Sequence, residues 1–363
     1  MNVAAFLFEL SQDVAASRLL AQYFRDLGGL DLVFLVSPRF LKRDANGIWF
    51  AELQDISERL GASLVEVDTV LDVVTVLAGR CGLLVSASES ELGAHAFCHE
   101  VFLTAPVGFT RVNLQHGLEC IGFNHNDAHD ATFGYRIGMA CDIAASWFPI
   151  ERLHSVRSDQ KAKILTVGPP VGLSHPPVFE RPWSWLARDA GLHGLICENL
   201  HSVRFGAGAK VEFVDLLGTF AAAIGASGGT AELRPHPAGR YSEKKNLALP
   251  DNVRFNRAPL YKQSLDKFTF GISAPSSVLI DMVWAGIPTA VWTSGDGSVD
   301  IGIYEGLEIV SSLADWVTFA EAATQDPSPY LAAQRRYLSS LFGGQDIPSL
   351  YRPLYDFAVQ AGT

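Results

Sequence analysis

Short, continuously apolar runs alternate with helical patterns along the first half of this chain, stop at a cluster of prolines, and then begin again. No other feature constrains the fold so tightly. A run that is apolar at every position has no solvent-facing side, so it reads as a strand covered on both faces. Strands of that kind, separated by amphipathic helices, predict a parallel sheet with helices on either side.

The first half supplies the pattern several times. "NVAAFLFEL" reads as a buried strand, and "SQDVAASRLLAQYFRDLGG" as a helix with a Ser11 cap signal and a Gly-Gly stop. "LDLVFLVS", "SLVEVD" and "GLLVSAS" follow as strands, with helices over "AELQDISERLG" and "TVLDVVTVLAGRC". "RVNLQHG", "DIAASWF" and "KILTVG" complete the set.

"GPPVGLSHPPVFERPW" then interrupts it. Two Pro-Pro pairs make this a stiff connector, not the interior of an element. Beyond it come strands at "GLICENL", "TAELRPHP", "NVRFN", "FTFGIS" and "PTAVW". Helices are expected over "KVEFVDLLGTFAAAIGA" and "SSVLIDMVWAG", with a short one around "LYKQSLD" and two more over 312–324 and 328–341. The expected organisation is two doubly wound Rossmann-like α/β domains, residues 1–168 and 186–345, facing each other across a cleft. A linker spans 169–185, and a tail, 346–363, crosses back to the first domain.

Bulk properties narrow the function. A length of 363 residues suits two domains. The net charge of −11 argues against a broad nucleic-acid surface, so no nucleic-acid partner is expected. Five cysteines, an odd number without a CxxC pair, fit reduced thiols in a cytoplasmic protein. "MNVAAFLFEL" has no basic leader and is broken by Glu9. No apolar run approaches the ~20 residues that span a bilayer, so membrane contact is expected to be peripheral at most, at the inner face.

Ligands of open parallel sheets bind at the carboxyl ends of strands. Three stretches of the second domain fall there: "CENLHS" (197–202), "RPHP" (234–237) and "SAPSS" (273–277). Proline fixes φ and cannot donate to a ladder, so Pro235 and Pro237 end their strand and hold His236 on a stiffened loop. Ser276 and Ser277 open a helix. Their hydroxyls serve either as caps or, with exposed N–H groups, as a phosphate site. Arg234 and His236 add donors to the same anion.

The "HP" pair followed by "SS" at a helix start resembles glycosyltransferases of the two-Rossmann GT-B type that use cytidine nucleotides. These include Kdo transferases, bacterial sialyl- and polysialyltransferases, and CDP-glycerol glycerophosphotransferases of surface polysaccharide synthesis. "SSVLIDMVWAGIPTAVW" is similar to the serine-pair, Asp, Pro segment of the last group. The resemblance implies that His236, Pro237, Ser276 and Ser277 hold nucleotide phosphate and ribose. Arg234, Glu198 and Asn199 are nucleotide-binding candidates beside them. Arg204 and Lys210, in "HSVRFGAGAK", are candidates for a donor carboxylate, or else solvated charges of a glycine-rich loop.

"VNLQHGLECIGFNHNDAHD" (112–130) resembles the "QHG" element of surface-polysaccharide and teichoic acid polymerases, which lies on the acceptor side. Gln115 becomes a substrate-binding candidate, and His116 a base or acceptor-positioning residue. Asp127 and Asp130 are candidate reacting carboxylates, together with Glu91 in "SASESELGAH" (86–95). Ser86 or Ser88 there reads equally well as a cap for the next helix. His125 and His129 stand at i, i+4, a spacing that admits a metal. GT-B enzymes typically need none and the chain has no DxD motif, so no metal and no cofactor are expected.

The reading is a metal-independent glycosyltransferase that uses a CMP-activated donor, of Kdo or sialic-acid type, on a glycan or glycolipid acceptor. A CDP-linked polyol-phosphate donor, a UDP-sugar epimerase of the same architecture, and a non-catalytic binding protein remain open alternatives.

Overall fold

The computed structural model describes residues 2–44, 46–125, 137–180, 191–200, 205–237, 239–295 and 301–361. The chain forms two compact units. The first comprises Met1–His175 with Gln345–Thr363, and the second Pro176–Gly344.

The first unit is built on a seven-stranded, all-parallel sheet. Its strands are β1 (Asn2–Phe8), β2 (Asp31–Val36), β3 (Ser63–Glu66), β4 (Cys81–Ser86), β5 (Phe109–Leu114), β6 (Ile143–Ser146) and β7 (Ile164–Thr166). Their order is β3-β2-β1-β4-β5-β6-β7, so the direction of winding reverses between β1 and β4. β1 is central because it is buried at every position from Val3 to Phe8. Phe6 and Phe8 both pack edge-on against Phe34 of β2, at 5.8 and 5.3 Å between ring centres. Helix α1 (Ser11–Leu27) lays Phe24 on the same cluster.

Gly82 of β4 is beside Val3 of β1 and has φ of +141°. A Cβ there would lie 1.9 Å from the Val3 carbonyl oxygen, so only glycine fits. The C-terminal helix Ile347–Gln360 belongs to this unit. It is pinned by Tyr351 Oη donating to Gly168 O (3.0 Å) and by Asn2 Nδ2 donating to Val359 O (2.7 Å).

The second unit has a six-stranded parallel sheet. Its strands are β8 (His193–Cys197), β9 (Thr230–Arg234), β10 (Val253–Phe255), β11 (Phe270–Ser273), β12 (Thr289–Trp292) and β13 (Glu308–Val310). The order β10-β9-β8-β11-β12-β13 reverses between β8 and β11. Helices Ala207–Gly225 and Leu313–Gln325 cover one another over an aromatic core. Trp316 packs against Phe213 and Phe220 at 5.8 and 5.2 Å.

Both units are therefore doubly wound α/β, as the alternation of apolar runs predicts. Three local expectations differ. "LYKQSLD" forms two single 3-10 turns, Leu260–Lys262 and Leu265–Lys267, in place of a helix. A three-residue strand, β13, and a helix capped by the Ser37 hydroxyl, Pro38–Arg43, escape the periodicity because neither spans two full repeats of a pattern. Neither Ser86 nor Ser88 caps the helix Ala96–Thr104, whose flanking residue is His95 without a side-chain cap bond. Among the described residues no helix is long and apolar enough to cross a membrane.

Candidate functional site

In the second unit, the three strand-end stretches meet at the reversal of strand order. Asn199, just past β8, donates from Nδ2 to the Pro275 carbonyl oxygen just past β11, at 2.6 Å. Its Oδ1 is buried with no partner among the described residues. Glu198 accepts the backbone N–H of Ser242 (3.1 Å) and the Ser242 hydroxyl, close to the main-chain donors of Tyr241 and His236. Burial raises the Glu198 pKa, and those donors oppose the rise. Its carboxylate is thus spent on holding the loop that follows β9.

The loop itself is tight. The His236 carbonyl accepts the N–H groups of Gly239 (3.1 Å) and Arg240 (2.9 Å). Arg240 adopts φ of +48°, a conformation uncommon for residues with a Cβ. His236 and Pro237 are half-buried, while Pro235 is buried.

Arg234 ends β9 with its side chain buried. Its Nη1 donates to the Ala258 carbonyl oxygen at 2.6 Å. No carboxylate lies within ion-pair distance of it among the described residues. Burial lowers its pKa, against Cys197, Asp281 and Tyr261. An unpaired buried guanidinium is costly unless an anion completes it.

Ser276 and Ser277 are half-buried at the start of the helix Val278–Trp284. Ser277 is helical and makes no side-chain cap bond. Neither hydroxyl is engaged among the described residues, so the capping role is not taken up. The helix has only seven residues, so the hydroxyls matter here more than any dipole. Lys210 lies in the first turns of Ala207–Gly225, its Nζ 6.0 Å from the centre of the Tyr241 ring.

In the first unit, Gln115 and His116 follow β5 but do different things. Gln115 is buried, with its amide oxygen and one of its two amide hydrogens engaged. Nε2 donates to Gly117 O (2.7 Å), and Oε1 accepts from Ser146 Oγ (3.0 Å) and Trp147 N (2.8 Å). It stitches the ends of β5 and β6. His116 is half-buried and donates from Nδ1 to the Ala87 carbonyl oxygen at 2.7 Å. A carbonyl can only accept, so it fixes the proton on Nδ1 and leaves the Nε2 lone pair in the neutral ring. Nε2 has no hydrogen-bond partner among the described residues. Burial opposes the charge of His116. Cys120, whose Sγ is 3.5 Å from Nδ1, outweighs it together with Asp13 and the Ala87 carbonyl, pushing the pKa up to about 9.

Glu91 is exposed and its Oε2 accepts the Gly138 N–H at 2.7 Å, with Arg157 Nη1 at 3.4 Å. Glu89 is buried and pairs with His99 Nδ1 at 2.7 Å. Asp127, Asp130, His129 and Arg204 lie outside the described residues. Among the described residues, no group of three or more His, Cys, Asp or Glu side chains converges as a metal site would require.

Two buried carboxylates beside β1 escape the sequence reading: Glu9 and Asp13. Asp13 looks like an ordinary acidic residue of a first helical turn, and Glu9 like the end of a strand. No local signal separates them from structural residues.

Neither a protein-family model nor a curated protein sequence matches the chain. Solved structures do resemble it. The wall teichoic acid polymerase TagF, a histidine variant soaked with CDPG, gives a TM-score of 0.64 at 13% identity, over 99% of this chain and 88% of that one. MnaA of S. aureus, solved with UDP, gives 0.60 at 10% identity over 99% and 98%. A putative UDP-N-acetylglucosamine 2-epimerase from Listeria monocytogenes gives 0.59 at 11% identity over 97% and 94%. At these identities the likeness is one of fold, two Rossmann-like α/β units of the GT-B class.

Proposed function

We propose that this protein is a glycosyltransferase that takes a sugar from a cytidine-nucleotide donor, CMP-linked in the first reading, and passes it to a glycan or glycolipid acceptor. The observation that carries this is the buried Arg234, without a carboxylate partner among the described residues, at a strand end whose neighbours, His236 and the Ser276–Ser277 turn, lie by Glu198 and Asn199 at the same sheet reversal. A phosphate supplies the missing anion. As the sugar leaves, charge builds on that phosphate, and donors already in place stabilise it without reorganising. Arg234, His236 and the two serine hydroxyls carry that task with no metal assigned to the step.

His116 takes the acceptor proton. Its Nδ1–H is committed to Ala87, which leaves Nε2 as the basic atom. Gln115 holds the strand ends that carry His116 and remains the substrate-binding candidate beside it. Glu91, Asp127 and Asp130 remain the candidates for a reacting carboxylate, and Arg204 and Lys210 those for a donor carboxylate. The reaction belongs in the cytoplasm, at most peripherally on the inner face of a membrane.

A second reading is favoured by the "SSVLIDMVWAG" and "QHG" resemblances: transfer of a polyol phosphate from a CDP-linked donor, with a second phosphate in the same clamp. A thermal-shift and calorimetric panel of CMP, CDP and UDP tests both. Stabilisation by CMP supports the first, and by CDP well beyond CMP the second. Stabilisation by UDP alone sinks the cytidine reading and favours an epimerase.

A further inference from the structure

Asp13 lies in the first turn of α1 and is completely buried. Its two carboxylate oxygens do separate work. Oδ2 accepts the backbone N–H groups of Glu9 (2.7 Å) and Leu10 (2.8 Å), which is the usual duty of an acid at a helix start. Oδ1 accepts the Ser88 hydroxyl at 2.5 Å, a bond that spans 75 residues of sequence. Capping needs only the first oxygen, so the second has another purpose.

Ser88 lies in the turn that follows β4. Its backbone N–H donates to Ser86 Oγ at 3.1 Å, and its hydroxyl is held by Asp13, so the turn is fastened at both ends. Ala87 lies between these two serines. Its carbonyl is the acceptor for His116 Nδ1–H.

We infer that Asp13 is a positioning residue for His116: through the Ser88 hydroxyl it fixes the Ala87 carbonyl, and that carbonyl fixes the tautomer and aim of the imidazole. This rests on the reading of His116 as the proton acceptor. The arrangement follows the general logic of a base oriented by a third group, here through a main-chain carbonyl in place of a direct carboxylate bond. Burial raises the Asp13 pKa and the Ser88 hydroxyl opposes that rise, so in the ionised carboxylate the Ser88 bond is a charge-assisted one. Cys120, Asp13 and His95 are among the ionisable groups acting on His116, so a titration of His116 reads this neighbourhood directly.

The test uses the full chain with labelled histidine, the His116 resonance being assigned by its loss in His116→Gln. Ser88→Ala and Asp13→Asn are compared with the parent by NMR titration and by the pH dependence of donor-dependent turnover. Both variants are expected to lower the His116 pKa by about one unit or more. The kinetic limb should move with it, and the plateau kcat, read above that limb, should fall roughly ten- to a hundredfold at nearly unchanged KM. A His116 pKa and a kinetic limb that both stay put in the folded variants overturn the inference. Should Asp13→Asn fail to fold, Ser88→Ala carries the test, because it leaves both capping bonds of Oδ2 intact. If the NMR pKa moves while the parent turns over no nucleotide donor, the positioning role stands and the transfer reading falls.

Discussion

Asn199 Nδ2 donates to the Pro275 carbonyl oxygen at 2.6 Å and so joins the carboxyl ends of β8 and β11 where the strand order of the second sheet reverses. The bond is local in space and 76 residues long in sequence. It determines where the Ser276–Ser277 turn stands relative to the loop after β8. Asn199→Ala should therefore weaken nucleotide binding without unfolding the unit. A loss of about 1 to 1.5 kcal/mol, roughly tenfold in affinity, is the expected scale for one buried hydrogen bond. Calorimetric titration with CMP checks it, and an unchanged Kd would show that the two loops are set independently.

Arg234 gives a prediction of opposite sign for stability and binding. Among the described residues the buried guanidinium has one carbonyl partner and no carboxylate. Arg234→Met keeps most of the volume and removes the uncompensated charge. The ligand-free variant should match or exceed the parent in melting temperature, by the equivalent of about 1 to 3 kcal/mol. The shift induced by nucleotide should vanish. A variant that is less stable and still stabilised by CMP would mean that the charge is satisfied within the fold and has no anion to wait for.

His116 makes the pH profile diagnostic. A proton acceptor works only when neutral, and the His116 pKa stands at about 9. Turnover should accordingly rise with pH through neutrality, level off near pH 9, and lose that limb in His116→Gln together with about two to four orders of magnitude in rate. A rate that is flat to pH 9 and falls above it would assign His116 a cationic role, holding the charge of the departing phosphate.

The two-unit α/β design was legible because buried parallel strands are apolar throughout and prolines mark where the pattern halts. The strand-end stretches were legible for the same reason: "RPHP" and "SAPSS" are defined by where strands must stop. Gln115 shows what spacing does not encode. Its position beside His116 points to a substrate contact, and only the fold shows that its amide oxygen is engaged by Ser146 and Trp147, some thirty residues away in sequence. Asp13 shows the converse. An acid at a first helical turn is ordinary, and only the fold reveals that its second oxygen reaches Ser88.

Gly82 supplies the test of the first sheet. With φ of +141° and the Val3 carbonyl oxygen 1.9 Å from where a Cβ would be, Gly82→Ala must push β4 off β1. Destabilisation of about 3 kcal/mol is expected from the strain and the broken pairing together. Denaturant titration measures it. A cost below about 0.5 kcal/mol would mean that the register of β1 and β4 differs from the one described.

His95 predicts how acid acts on the first unit. It is buried and its Nδ1 is 2.7 Å from Ser90 Oγ. Burial, followed by the charges of His116, Arg39 and Arg43, lowers its pKa to about 3 from 6.5. Between those two values only the unfolded chain binds the proton. Stability is therefore whole above pH 6.5 and drains away as the pH falls, by about 2 kcal/mol at pH 5 from this one group. The buried carboxyls Glu9, Asp13 and Glu198 have raised pKa values and act in the opposite direction, since they gain protons more readily when folded. They are common to parent and variant and cancel in the difference. His95→Gln keeps a donor and an acceptor for Ser90 and cannot titrate. Its stability should fall less between pH 7 and pH 5 than that of the parent, and equal losses would show that His95 is protonated without penalty in the folded unit.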